Sequence, residues 1–130
     1  MMKTILTMKL LKDKYGVCRF DKNEQVPSWA LKGDFYSITK TEDELSVVCL
    51  EENINGNIKY EDNWRVLKIE GPLDFSLVGI LAKISGLMAD NSISIFAIST
   101  YDTDYILIKN DKIENAINIF ENNKYKIVRE

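Results

Sequence analysis

Apolar residues at positions 77, 80, 81, 84, 87 and 88 recur with the period of a helix that buries one face. Ile113, Ala116, Ile117 and Phe120 form a second stripe of the same kind. Four stretches around them read as strands: Trp64 to Ile69, Ile93 to Thr100, Tyr105 to Lys109, and Tyr125 to Val128. The first is rich in β-formers and stops at Gly71-Pro72. Ile93 to Thr100 sets Ile93, Ile95 and Ala97 against Phe96 and Ile98, so both its faces are apolar, which predicts a central strand. Asp74 or Ser76 is placed to cap the first helix, and Asp111 to Glu114 resembles a capping box for the second. Asn122-Asn123 supplies a stop.

The second half therefore reads β-α-β-β-α-β over residues 64 to 129, the ferredoxin-like order with two helices on one face of an antiparallel sheet. The first half has strand patterns at Thr4 to Leu11, Tyr15 to Phe20, Phe35 to Thr39 and Leu45 to Leu50, but no long helical stripe. Pro27 to Leu31 predicts a short helical turn, since proline is tolerated in a first turn. If this half follows the same plan, it is a reduced version. Residues 51 to 63 are polar around Asn55-Gly56 and read as a linker or long turn. The expected division is residues 1–60 and 61–130.

Composition narrows the function classes. With 130 residues and 45% hydrophobic content, the chain can bury a core as one domain or two small ones. A net charge of −3 and three scattered arginines (Arg19, Arg65, Arg129) give no electrostatic reason to approach nucleic acid or an anionic membrane. The opening residues carry Lys3, Lys9 and Lys12 within too short an apolar run for a signal peptide, and no stretch is long enough to span a bilayer. The cytoplasm is the expected compartment. Cys18 and Cys49 sit among apolar neighbours and read as buried free thiols, with a disulfide as the alternative. There is no histidine, which excludes histidine-based nucleophile activation and histidine-ligated zinc.

Two segments carry a resemblance. Residues 64 to 109, "WRVLKIEGPLDFSLVGILAKISGLMADNSISIFAISTYDTDYILIK", look like the second domain of small tandem ACT-domain proteins. Residues 26 to 49, "VPSWALKGDFYSITKTEDELSVVC", resemble that family's N-terminal half. The segment Ser99 to Tyr105 is also similar to the Ser-Thr-aromatic-x-x-Asp stretch of the animal cytosolic arginine sensors. The resemblance implies two ferredoxin-like ACT-type halves, the N-terminal one reduced. It implies reversible binding of an amino acid or related metabolite at an ACT–ACT interface, no turnover, no cofactor and a homodimer. It places the ligand against Val78, Gly79 and Ile80 and against Thr100, Tyr101 and Asp104. One departure matters: where the arginine sensors carry an extra acidic residue in the loop leading into the helix, this chain has Leu77, which counts against an arginine-specific site.

Elementary chemistry agrees with that assignment. An amino acid presents an ammonium, which a carboxylate such as Asp104 accepts, and a carboxylate, which the backbone N–H groups of a helix start can hold. Gly79 would allow close approach to the ligand, or close packing of helix on sheet. Thr100 would add a hydroxyl contact and Tyr101 would cover the side chain. Asp102 reads as a turn residue or a ligand contact, and Asp104 as a ligand contact or a locally bonded residue. An enzyme using the two aspartates as an acid–base pair or Mg²⁺ clamp is a second reading, but no glycine-rich phosphate loop or further carboxylate accompanies them. The third reading is a protein-interaction module with no small ligand, since a sensor without an attached enzyme must act through a partner protein.

Overall fold

The computed structural model describes residues 6–70 and 79–130. Its strands are β1 Thr7–Leu10, β2 Tyr15–Phe20, β3 Ser37–Lys40, β4 Leu45–Leu50, β5 Lys59–Ile69, β6 Phe96–Ser99, β7 Asp104–Lys109 and β8 Lys126–Arg129. Its helices are α1 Ile80–Asp90 and α2 Asn110–Asn122. Two units divide the chain: Asp13–Trp64, and Arg65–Glu130 together with the segment up to Lys12. The residues before Asp13, expected with the first half, thus belong with the second.

In the larger unit the strands run β6-β7-β5-β1-β8. β5, α1, β6, β7, α2 and β8 follow the ferredoxin-like order, and the mixed α+β class is as expected. The difference is β1, which lies between the first and last strands of that set. It pairs antiparallel with β5 (Met8 opposite Ile69, Leu10 opposite Leu67) and parallel with β8 (Met8 opposite Ile127). Met8 and Leu10 are buried there. Two buried apolar residues in a four-residue strand are enough to draw it into the sheet, because each fills the core and the strand pairs with a neighbour on either side.

The core of this unit gathers Ile84 and Met88 of α1, Ile113, Ala116, Ile117 and Phe120 of α2, and Leu67, Ile69, Ile106 and Ile108 of the sheet. Both helical stripes face where their periodicity put them. Their starts do not follow expectation. Asp74, Ser76 and Leu77 lie outside the described residues, and α1 begins after Gly79, which has no side chain to cap it. At α2 the capping box does not form: the chain passes from β7 into the helix at Lys109, and Asp111 falls in the first turn without a capping hydrogen bond. β6 pairs with β7 alone, so the strand expected at the centre of the sheet is at its edge. Its apolar residues still find partners, since Ile93 and Ile95 pack into the core before the strand begins.

The smaller unit has the strand order β3-β4-β2-β5, its β5 share being residues 59–64. Taken from β2, this is the same ferredoxin-like order. Single 3-10 turns at Ser28–Ala30 and Glu51–Asn53 stand where the two helices would be. The core is Cys18, Phe20, Ala30, Leu45, Val47 and Cys49, closed over by Val26, Trp29, Ile54 and Ile58. This half is reduced, as its missing helical stripes predicted. Residues 59–63, expected as linker, are strand: Lys59, Tyr60 and Glu61 pair with Arg19, Cys18 and Val17. An edge position lets polar residues join a ladder that their propensity alone would not predict. A bulge interrupts this pairing between Tyr15 and Val17. Asn63 turns there with φ 68°, and its N–H donates to Glu51 Oε1 at 2.6 Å.

Candidate functional site

β6 and β7 form a hairpin, Ser99 opposite Asp104, closed by residues 100–103. Thr100 N–H donates to the Thr103 carbonyl at 2.8 Å, and the Thr100 hydroxyl donates to the same oxygen at 2.9 Å. Thr103 N–H returns a bond to Thr100 Oγ1 at 3.3 Å. The turn is therefore made by the two threonines. Asp102 lies exposed at its tip. Asp104 is half-buried as the first residue of β7.

Sequence reasoning missed Thr103, the one buried polar side chain among the described residues. Its hydroxyl donates to the Ile69 carbonyl at 2.6 Å. That bond fastens the hairpin to the last residue of β5, the strand after which the chain crosses towards α1. A threonine next to an aspartate in a loop gives no signal of burial.

Gly79 has φ 80° and is exposed. No described atom lies within 4 Å of where a Cβ would stand, so a left-handed backbone, and not close helix–sheet packing, is what demands glycine there. The Gly79 carbonyl accepts from Lys83 N–H at 2.9 Å, the first turn of α1. The N–H groups of Ile80, Leu81 and Ala82 have no intrahelical acceptor, Gly79 has no side chain to offer them, and no acidic residue stands in the first turn. The Ile80 side chain packs against the core, which leaves its backbone as the part able to meet a ligand. Val78 lies outside the described residues.

The Thr103–Ile69 bond places the end of β5 beside the hairpin of β6 and β7. The start of α1 at Gly79 and the half-buried carboxylate of Asp104 belong to the same unit. Tyr101 is 82% exposed, so its ring can cover a ligand only from outside this unit's core. Among the described residues, no group of three or more Cys, Asp or Glu is placed to hold a metal ion. No helix there is long and apolar enough to cross a membrane.

Comparison with known proteins gives this geometry a family. Residues 59–122 match the family model of the ACT domain, and residues 13–57 match a model described as an N-terminal domain. The cytosolic arginine sensor for mTORC1 subunit 1 of Rattus norvegicus is 39% identical over 59 residues, which are 45% of this chain and 18% of that protein. The match thus spans less than a fifth of the curated relative. The crystal structure of protein Atu0741 from Agrobacterium tumefaciens superposes with a TM-score of 0.91 at 33% identity, over 98% of this chain and 96% of that one. The aspartate kinase of Clostridium acetobutylicum, at 15% identity and a TM-score of 0.66 over 87% of this chain and 33% of that one, shares the fold. With the matched ACT model covering β5 to α2 and the same strand order on the page, the chain belongs to the ACT-domain family.

Proposed function

We propose that this chain is a sensor that reversibly binds an amino acid or related small metabolite without turning it over. A ligand-binding regulatory role is what its family supports. What supports the finer reading is a helix start at Gly79 with no acidic residue in its first turn, in the same unit as a hairpin that Thr103 fastens to Ile69. Backbone N–H groups of the first helical turn hold the ligand carboxylate, helped by the positive end of the helix. Asp104 takes the ammonium by charge-assisted hydrogen bonds. The Thr100 hydroxyl, already donating to the Thr103 carbonyl, keeps an oxygen lone pair for the ligand. Tyr101 closes over the side chain. A second ACT unit, from another copy of the chain, completes the pocket, so the working form is a homodimer. Leu77, in place of an acidic residue, argues for a ligand other than arginine. The relatives' description as cytosolic supports a cytoplasmic setting.

A rival reading is a protein-interaction module without a small ligand. The exposure of Tyr101 beside the edge strand β6 favours it, because an exposed aromatic next to a strand edge suits a protein partner. A thermal-shift screen of the full chain against the twenty amino acids at millimolar concentration separates the two. Ligand at about a hundred times its Kd stabilises by roughly 2.7 kcal/mol, enough to move Tm by several degrees. A selective rise that disappears in Asp104→Ala supports the sensor. Unchanged Tm with all twenty removes the amino-acid reading and turns the search to a protein partner.

A further inference from the structure

Two cysteines separated by thirty residues of sequence meet inside the smaller unit. In the antiparallel pairing of β2 with β4, Cys18 stands opposite Val47 and Cys49 opposite Gly16. The two thiols are therefore diagonal neighbours on one face, both in the same core and 1% and 0% exposed. Both are free. We propose that Cys18 and Cys49 are a reversible dithiol–disulfide couple.

The register argues for reversibility. Diagonal pairs across strands have Cβ atoms farther apart than the ~3.8 Å a relaxed disulfide prefers, so bridging them strains the bond and makes it easier to reduce. Closing the bridge requires β2 to shift against β4, and the break in the pairing of β2 with β5 between Tyr15 and Val17 is where β2 can give. Either thiol of the pair can attack first while the other resolves, and attack by Cys18 is the order that the labelling experiment tests.

With hydrogen peroxide as oxidant, the Cys18 thiolate attacks one peroxide oxygen, the O–O bond breaks, and sulfenic acid and hydroxide result. The Cys49 sulfur then attacks the Cys18 sulfur. The S–S bond forms, the sulfenic hydroxyl leaves, and with the Cys49 proton it becomes water. The sulfurs lose two electrons and the peroxide gains them. Because both thiols are buried, the reaction proceeds through local opening and is slow, so equilibrium is the better first test.

The full chain is equilibrated in glutathione–glutathione disulfide buffers of increasing oxidant, quenched by alkylation, and weighed by mass spectrometry, with circular dichroism confirming that it stays folded. The expected result is loss of two hydrogens, mapped to a Cys18–Cys49 peptide and reversed by dithiothreitol. Thiols that stay reduced throughout, or that form only glutathione adducts or links between chains, overturn the proposal. The direction is tested with peroxide and a sulfenic-acid trap. Cys49→Ser should label at Cys18, and Cys18→Ser should label roughly tenfold more slowly at Cys49. Equal labelling overturns the assignment of roles.

Discussion

The Thr103 hydroxyl donates to the carbonyl of Ile69 at 2.6 Å, across 34 residues of sequence. One partner lies just before Asp104, the first residue of β7, and the other ends β5. The bond therefore fastens the hairpin of the candidate site to β5, and it satisfies a buried hydroxyl that would otherwise be costly.

Thr103→Val keeps the shape and removes the donor, leaving the Ile69 carbonyl short of a partner. We expect a loss of about 1–3 kcal/mol in urea unfolding and weaker binding of whatever ligand the thermal screen identifies. Thr103→Ser, which keeps the hydroxyl, should recover most of the affinity. A Val variant as stable as the parent would remove Thr103 as an anchor.

Gly79 is held at φ 80°, and no described atom lies within 4 Å of an added Cβ, so among the described residues a side chain there meets backbone strain alone. Gly79→Ala should destabilise by about 1–2 kcal/mol, and Gly79→Asn by less, because asparagine tolerates the left-handed region. Thermal denaturation of the two variants measures the order. Equal losses would mean that bulk, not φ, sets the cost.

The two aspartates of the hairpin should separate cleanly. Asp102 is exposed at the turn tip, and the turn's hydrogen bonds are supplied by Thr100 and Thr103. Asp102→Ala is expected to change stability by no more than about 0.5 kcal/mol and to leave ligand affinity intact. Asp104→Ala should lose ammonium recognition with the fold retained. Calorimetric titration of both variants decides; equal losses would contradict distinct roles.

Glu114 accepts two hydrogen bonds from Arg129, at 2.8 and 2.7 Å. The guanidinium holds the Glu114 carboxyl below its ordinary value. A depressed folded-state value means the contribution is present above the unfolded carboxylate range and is lost as pH falls through the folded one. The stability gap between parent and Glu114→Gln should be constant near neutral pH and close on acidification. Both side chains are exposed, so the gap should be small and shrink in salt. Urea midpoints across pH test this; a gap that widens in acid would reverse the sign.

Much of the fold was legible because burial imposes a period. The stripe Ile113, Ala116, Ile117, Phe120 could face only one way, and all four are buried. The same reasoning found β2, β4 and β7 to within a residue. It failed where pairing outweighed propensity. Residues 59–63 are polar and became strand because β2 offers them an open edge. Ile93 to Thr100 looked central because both faces are apolar, yet its first residues serve the core as loop and only Phe96–Ser99 pair, at the edge.

The candidate site divides in the same way. Local chemistry in the sequence pointed to the residues proposed to bind an amino acid: a glycine before a helical stripe, a hydroxyl, an aromatic and an aspartate in one short stretch. The tertiary structure decided that Thr103 ties the hairpin to Ile69, that Met8 and Leu10 complete the second unit's sheet, and that Cys18 and Cys49 share one face of one core. The reason is physical. Side-chain period and residue chemistry are local and written along the chain, whereas a neighbour across a sheet depends on register, and register is set by the whole core at once.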